Sequence, residues 1–465
     1  MRRTDLRLLN VFLVMATLLS CPGVFAQRVQ VPPASRHVLD NGLTLILMQY
    51  RKVPVVHLRL VARGGSASDP KGTEGLAAVT TSLMREGTTS RTSSQLAQEI
   101  DFIGGSLSAA AGLDYCVVNG QMLKKDLEKG LELFADVVLR PTFPAEELKR
   151  ERKQRLANLD ALKENPGGIA TIMFNKHVYG PHAYGVQAFG TRASLQQMTR
   201  EQLQVFYKGT FVPNNSILVV VGDMEPSEML GKITAKFGNW NPGTKIERAL
   251  PLPQKVTGEK VVLVNKHDAT QTQIRIGNVG VDVKHPDNFA IDVANGVFGD
   301  GFTSRLVDEL RVKRSLTYGA GSSFQANLFG GKYQISTFTK NETLGKTIDV
   351  ILEELKKFRE KGATDEEVRK AQNYLSGSFA RSLQTPEALA ANITDIELYG
   401  FPKDYLETYI PRLKAVTGAE VLRAAREYFL VNDLLMVFVG PAEQAKPELQ
   451  RHGAVDVIEL KDAIE

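Results

Sequence analysis

The chain has 465 residues, of which 43% are hydrophobic and 23% charged, enough to bury sizeable cores and too apolar for a disordered chain. Fifty-seven basic residues against 52 acidic ones give a net charge of +5 with no long run of one sign, which lends no support to a nucleic-acid or acidic-membrane role. Two cysteines and seven histidines exclude a disulfide scaffold and a multi-cysteine zinc module.

The first 26 residues read as a secretory signal. Arg2, Arg3 and Arg7 precede an apolar run from Leu8 to Leu19 broken only by Asn10 and Thr17, and Val24-Phe25-Ala26 offers small residues before a cut ahead of Gln27. The run is far short of the ~20 apolar residues of a spanning helix. A competing reading makes Cys21, in Leu18-Leu19-Ser20-Cys21, a lipid anchor, although Leu19 and Pro22 fit it poorly. Three Arg and one Asp leave with the signal, so the mature chain carries 54 basic and 51 acidic residues, a net +3. Export to the periplasm is the expected destination. Cys116, in the strand-like run Asp114-Tyr115-Cys116-Val117-Val118, has no histidine or basic residue beside it to lower its pKa and reads as a small buried hydrophobe rather than a nucleophile.

The rest of the chain repeats itself. Thr44-Leu45-Ile46-Leu47-Met48 has a partner in Lys260-Val261-Val262-Leu263-Val264, and His57-Leu58-Arg59-Leu60 one in Gln273-Ile274-Arg275-Ile276, both 216 residues on. Leu127, Leu131, Phe134 and Val138 carry helical spacing that Leu344, Ile348, Ile351 and Leu355 reproduce, and Glu146-Glu147-Leu148 and Glu366-Glu367-Val368 each open a further helix. Each half reads as two strands, a helix, two strands with a glycine-rich turn, then helix upon helix. Asn41-Gly42 marks a tight turn, Thr73 to Arg85 a helical segment, and Thr92 or Ser93 the cap of a helix running to Ile103. Leu58, Leu60 and Ala62 alternate with Arg59 and Arg63, which predicts a half-buried strand. The fold class is α+β: two homologous domains, each an antiparallel sheet with a mixed edge, covered by helices on one face. The expected bounds are 27–243 and 257–465, joined by a Pro- and Gly-rich linker at 244–256.

Several segments together carry a family resemblance. In the first half they are Leu39-Asp40-Asn41-Gly42-Leu43, Gly64-Gly65-Ser66 with Asp69-Pro70, the stretch from Gly75 to Thr88, Arg140-Pro141, Asn165-Pro166, His182-Ala183-Tyr184-Gly185 and Val221-Gly222-Asp223. In the second they are Phe298-Gly299-Asp300-Gly301-Phe302-Thr303-Ser304-Arg305-Leu306, Leu310-Arg311 and Leu316-Thr317-Tyr318. Their order and spacing, from about Arg36 to about Pro441, strongly resemble the pitrilysin-type zinc peptidases, in the branch of the mitochondrial processing peptidase. The resemblance implies duplicated domains closing like a clam shell on an extended peptide. It also implies an inverted zinc motif, His-x-x-Glu-His, in which two histidines one turn apart share the metal and the glutamate polarises water.

In this chain the motif is absent. Aligned with the family pattern, Ala78 stands at the first histidine, Thr81 at the catalytic glutamate and Ser82 at the second histidine, and Asn158 falls where the third ligand is expected. No other His-x-x-Glu-His occurs, and His177 and His182, five residues apart, fit a shared metal on a helix poorly. The chain is therefore expected to bind no metal. Arg311 and Tyr318 match the family's second-domain pair that binds and orients the substrate backbone. The resemblance thus implies the non-zinc-binding, Arg/Tyr-bearing subunit of an exported heteromeric peptidase, inactive alone, with zinc in a homologous partner that carries the intact motif. The alternative is a catalytically inert binding or assembly protein, as the core subunits of respiratory cytochrome bc complexes have become. No Gly-x-Ser-x-Gly, Cys/His arrangement or phosphate loop supports another chemistry.

Overall fold

A computed structural model describes residues 31–244 and 250–464. The predicted signal, Cys21 and part of the predicted linker lie outside these residues. The first half builds strands β1 (Ala34–Val38), β2 (Thr44–Gln49), β3 (Val55–Arg63), β4 (Ser106–Ala111), β5 (Tyr115–Leu123) and β6 (Ser216–Gly222), in the sheet order β1-β2-β6-β3-β5-β4. The second builds β7 (Lys260–Asn265), β8 (Gln271–Val279), β9 (Ala320–Gln325), β10 (Lys332–Lys340), β11 (Leu435–Gly440) and β12 (Val455–Glu459), in the order β12-β7-β11-β8-β10-β9. Five strands correspond one to one, and β2–β6 and β7–β11 are the matching parallel pairs. β3 and β8, nine residues each, start at Val55 and Gln271, the offset of 216 read from the sequence. The sixth strand breaks the symmetry: β1 comes from the start of the chain and runs antiparallel to β2, whereas β12 comes from its end and runs parallel to β7.

The helices that position the site are α1 (Leu76–Leu83), α2 (Ser93–Phe102), α3 (Leu127–Leu139), α4 (Ala145–Ala161), α5 (Pro166–Tyr179), α6 (Arg200–Thr210) and α7 (Pro226–Phe237) in the first half. In the second they are α8 (Asn288–Phe298), α9 (Leu344–Lys361), α10 (Asp365–Arg381), α11 (Pro386–Tyr399) and α12 (Gly418–Tyr428). Their starts are written locally. Thr92, Thr364 and Thr417 form capping boxes with Gln95, Glu367 and Glu420, satisfying backbone N–H groups that no helical carbonyl can reach. The Asn41-Gly42 turn forms as predicted, with Gly42 at φ +88° and its N–H on Leu39 O at 2.8 Å.

α1 starts later than the sequence suggests, at Leu76 rather than Thr73. Gly75 takes φ +87°, a conformation only glycine adopts without strain, and the Asp69 carboxylate accepts from the Gly75 N–H (2.9 Å) and the Ala77 N–H (2.9 Å). The cap lies six residues upstream, so no local signal announces it.

Each sheet packs one face against helices of its own half. Leu58, Leu60 and Ala62 of β3 are fully buried there against α1, α3 and their neighbours. The opposite face is also covered, by a helix from the other half. α11 lays Leu389, Ala390, Ile393 and Leu398 on Val61, Val219 and Val221 of the first sheet. α5, its counterpart in sequence order, lays Ile169, Met173 and Phe174 on Val262, Val437 and Val439 of the second. This reciprocal exchange explains why the face carrying Arg59 and Arg63 is not solvated: Arg63 donates to the Leu398 carbonyl at 2.8 Å. Each large apolar side chain so buried contributes about 1.5–3 kcal/mol. Among the described residues no helix is long and apolar enough to cross a membrane.

Candidate functional site

The sequence points to two places, the α1 helix and the segment from Gly299 to Tyr318. On α1, Ala78 and Ser82 are one turn apart and share a face. Thr81 is fully buried, and its Oγ1 donates back to the Ala77 and Ala78 carbonyls at 2.9 and 3.1 Å. Ser82 faces α4, from which Arg155 reaches over. Arg155 Nη2 lies 3.3 Å from Ser82 Oγ and 3.2 Å from the Ala78 carbonyl, Nη1 donates to Phe189 O at 3.3 Å, and Nε pairs with Glu151 at 2.8 Å. Asn158, three residues further along α4, is exposed and accepts from Gln154 Nε2 at 3.0 Å.

This donor set does not fit zinc. Ala78 offers a methyl group, Thr81 spends its hydroxyl on its own helix, Ser82 faces a cation, and Asn158 is turned to Gln154, whereas zinc needs nitrogen, thiolate or carboxylate donors. Among the described residues no group of three or more His, Cys, Asp or Glu is placed to hold a metal. His177 and His182 serve separate neighbours. His182 Nδ1 accepts from the Tyr184 N–H and its Nε2 faces the Pro251 carbonyl at 2.9 Å, while His177 is held down to about 4 by burial, with Lys260 and Lys176 adding to the effect. Cys116 is fully buried beside the Gly64 carbonyl, and desolvation pushes its thiol well up. No nucleophile is available there.

The second place is built around a close backbone approach. α8 ends at Phe298, and the N–H groups of Gly299 and Asp300 both bond to Asn295 O at 2.8 Å. Gly299 O accepts from the Ser322 N–H at 3.0 Å, and a Cβ at Gly299 would stand 2.1 Å from Ser322 Oγ. Gly301 adopts φ +96°. Ser304 then opens a short helix whose Arg305 is clamped by Glu367, both bonds 2.7 Å. That helix widens into a π-turn over Asp308–Lys313, an irregularity common at functional sites. Ser315 at φ +53° turns the chain back toward Tyr318.

This folding brings Arg311 and Tyr318 to one cavity of about 400 Å³, whose other walls include Gly299, Gly301 and the start of β9. Every lining residue comes from the second half, between Gly299 and Tyr374, and none from α1 or α4. Tyr318 is 82% exposed. Lys313 and Arg314 are both tied to Glu309, whereas among the described residues Arg311 makes no ion pair. Its five donors and the Tyr318 hydroxyl are open to an incoming carbonyl or to developing negative charge. Phe302 and Tyr374, which also line this cavity, escaped the sequence reading. Phe302 lies within the Phe298–Leu306 segment with no polar group to mark it, and Tyr374 comes from α10, with nothing local to connect it. Arg155 escaped too, because its contact with α1 spans more than seventy residues.

Comparison with known proteins agrees with this architecture. A family model described as "Insulinase (Peptidase family M16)" matches residues 45–192, and one described as "Peptidase M16 inactive domain" matches residues 197–375. An uncharacterized zinc protease of Rickettsia bellii is 25% identical over 408 residues, 87% of this chain and 96% of its own length. The uncharacterized zinc protease YmxG of Bacillus subtilis is 24% identical over 407 residues, covering 88% and 98%. Among solved structures, a peptidase M16 inactive domain from Pseudomonas fluorescens superposes with a TM-score of 0.83 at 26% identity, covering 88% of this chain and 98% of that one. A protease from Helicobacter pylori shares the fold with a TM-score of 0.81 at 22% identity, over 88% and 100%. With two family models spanning most of both halves and the same two-sheet fold, the chain belongs to the M16 peptidase family.

Proposed function

We propose that this chain is the substrate-orienting subunit of an exported heteromeric zinc metallopeptidase that cleaves extended peptides. A homologous partner would bring His-x-x-Glu-His and the zinc, and this chain would bring Arg311 and Tyr318. The observation that carries the reading is the cavity holding this pair. It is open, the Arg311 guanidinium is unpaired among the described residues, and no residue of the chain's own degenerate α1 lines it. A second chain has to face it if the pair is to act beside a metal. The lost donors on α1 would equally suit a binding or assembly protein without catalysis. The open Arg311–Tyr318 pair favours the catalytic partnership, since a scaffold has no use for oriented donors in a cleft. The apolar leader before Gln27 supports export to the periplasm.

The test is purification from the native host followed by assay of the recovered complex. A second chain with the intact zinc motif is expected to co-purify, with zinc in that chain. In the reconstituted pair, Arg311→Ala and Tyr318→Phe are each expected to lower kcat about 10²–10³-fold. Full activity in both variants, or a persistent monomer with no partner, would sink the proposal.

A further inference from the structure

Eleven large apolar side chains stand exposed among the described residues, and four of them, Phe302 (84%), Tyr318 (82%), Val312 (67%) and Tyr374 (46%), border two adjoining cavities. Clustered apolar exposure marks a binding surface, whereas isolated cases do not. The two cavities, of about 400 and 440 Å³, share Asp300, Gly301, Phe302 and Tyr374. The first is lined by Phe302, Tyr318 and Tyr374, by the small residues Gly319, Ala320 and Gly321, and by serines and Gln334 of β9 and β10. The Tyr374 ring lies over Gly301, where a Cβ would stand 3.3 Å from its Cζ. Among the described residues Asp300 and Arg311 are the charged ones lining this cavity, and burial raises the pKa of the Asp300 carboxyl. The surroundings suit an apolar, flat side chain, with Arg311 at hand for the carbonyl of the same peptide.

We propose that Phe302 and Tyr374 form a specificity pocket that takes one bulky aromatic side chain of an extended peptide. The proposal rests on reading Arg311 and Tyr318 as peptide-binding groups. The occupant is a substrate side chain rather than a subunit surface, because the aromatic walls and the backbone-binding pair line one and the same cavity.

Binding can be measured on the mature chain alone, without partner or catalysis, by fluorescence anisotropy. The probes are short fluorescein-labelled peptides of Gly and Ser that carry a single central Phe, Ala or Lys. The Phe peptide is expected to bind about tenfold tighter than the Ala peptide, the scale of discrimination an apolar pocket affords. Phe302→Ala is expected to erase most of that preference and leave the Ala peptide unchanged. Phe302→Leu should keep most of it, and Tyr374→Leu should lower it. At 84% exposure Phe302 is not needed for folding. Equal binding of the three peptides, or a preference untouched by Phe302→Ala, overturns the pocket. So does a Phe302→Ala variant whose only defect is weaker association with a second chain, which would make the patch a subunit interface. If instead the Phe preference follows Phe302 while Arg311→Ala changes no affinity, the pocket stands and the role given to Arg311 falls.

Discussion

Arg155 rests its guanidinium against Ser82: Nη2 is 3.3 Å from the serine Oγ and 3.2 Å from the Ala78 carbonyl one turn earlier. A cation of the protein's own thus joins α4 to the helix that the resemblance aligns with the zinc histidines. Arg155→Ala would leave the Glu151 carboxylate without its partner and unfasten α4 from α1. A loss of about 1–3 kcal/mol in unfolding free energy is expected, read from denaturant titration. A sharper outcome concerns restoration of the motif. Ala78→His, Thr81→Glu, Ser82→His and Asn158→Glu together should bind stoichiometric zinc only when Arg155 is also replaced by an apolar residue, because the guanidinium repels the metal and occupies its side of α1. Zinc uptake by the four-residue variant with Arg155 in place would contradict this.

The two halves are latched by Tyr184 and Asp114. The Tyr184 hydroxyl donates to the Asp114 carboxylate and accepts from the Phe329 N–H at 3.1 Å, while the other Asp114 oxygen accepts from the Leu328 N–H at 3.1 Å. Burial, and then Asp114, push the phenol well above its ordinary value. Tyr184→Phe keeps the ring packing and leaves the partly buried Phe329 N–H and an Asp114 carboxylate oxygen without this partner. It should cost about 1–3 kcal/mol. Faster limited proteolysis between residues 185 and 260 would place the damage at the junction of the halves. Unchanged proteolysis would show that the latch is not needed to hold them.

Gly299 and Gly301 are not interchangeable. Gly299→Ala places a Cβ 2.1 Å from Ser322 Oγ and 2.6 Å from its backbone N, so the loop must leave β9 and the Arg311 cavity must distort. About 2–3 kcal/mol of stability and most peptide binding are expected to be lost. Gly301→Ala meets only the Tyr374 ring at 3.3 Å but is strained at φ +96°, for about 1–2 kcal/mol. Calorimetry of both variants beside the anisotropy assay separates loop strain from loss of the cavity.

His57 supplies the acid dependence. It lies 2% exposed on the face of β3 that α11 covers, facing Asn119 and Gln121 without a hydrogen bond of good geometry. Desolvation holds it down to about 4, against an ordinary value of 6.5. The unfolded chain takes up this proton near pH 6.5 and the folded chain only near 4. The stability due to neutral His57 is therefore complete above pH 6.5 and is lost as pH falls toward 4, by up to about 3 kcal/mol. Asp395, pushed up to about 6 by burial, has the opposite dependence, so the contribution of His57 is read as a difference. The gap in stability between the wild type and His57→Leu should narrow or reverse between pH 7 and pH 4.5. A gap constant with pH would mean that His57 does not titrate as its burial demands.

Much of this was legible in the residues themselves. The strands, the paired helices and the offset of 216 follow from apolar periodicity, which is a local property of the chain. The absence of zinc donors at Ala78, Thr81, Ser82 and Asn158 is a matter of residue identity, and Arg311 and Tyr318 are close enough in sequence for one turn to unite them. The exchange of α5 and α11 between the sheets was not legible, because an apolar stripe has the same spacing whichever sheet it covers. Arg155 beside Ser82 and Ala78, the Asp69 cap on α1 and Tyr374 beside Gly301 were equally hidden. Each joins side chain to backbone across a stretch of chain that only packing closes, and the preference for one partner over another arises there, from burial and geometry that no local pattern carries.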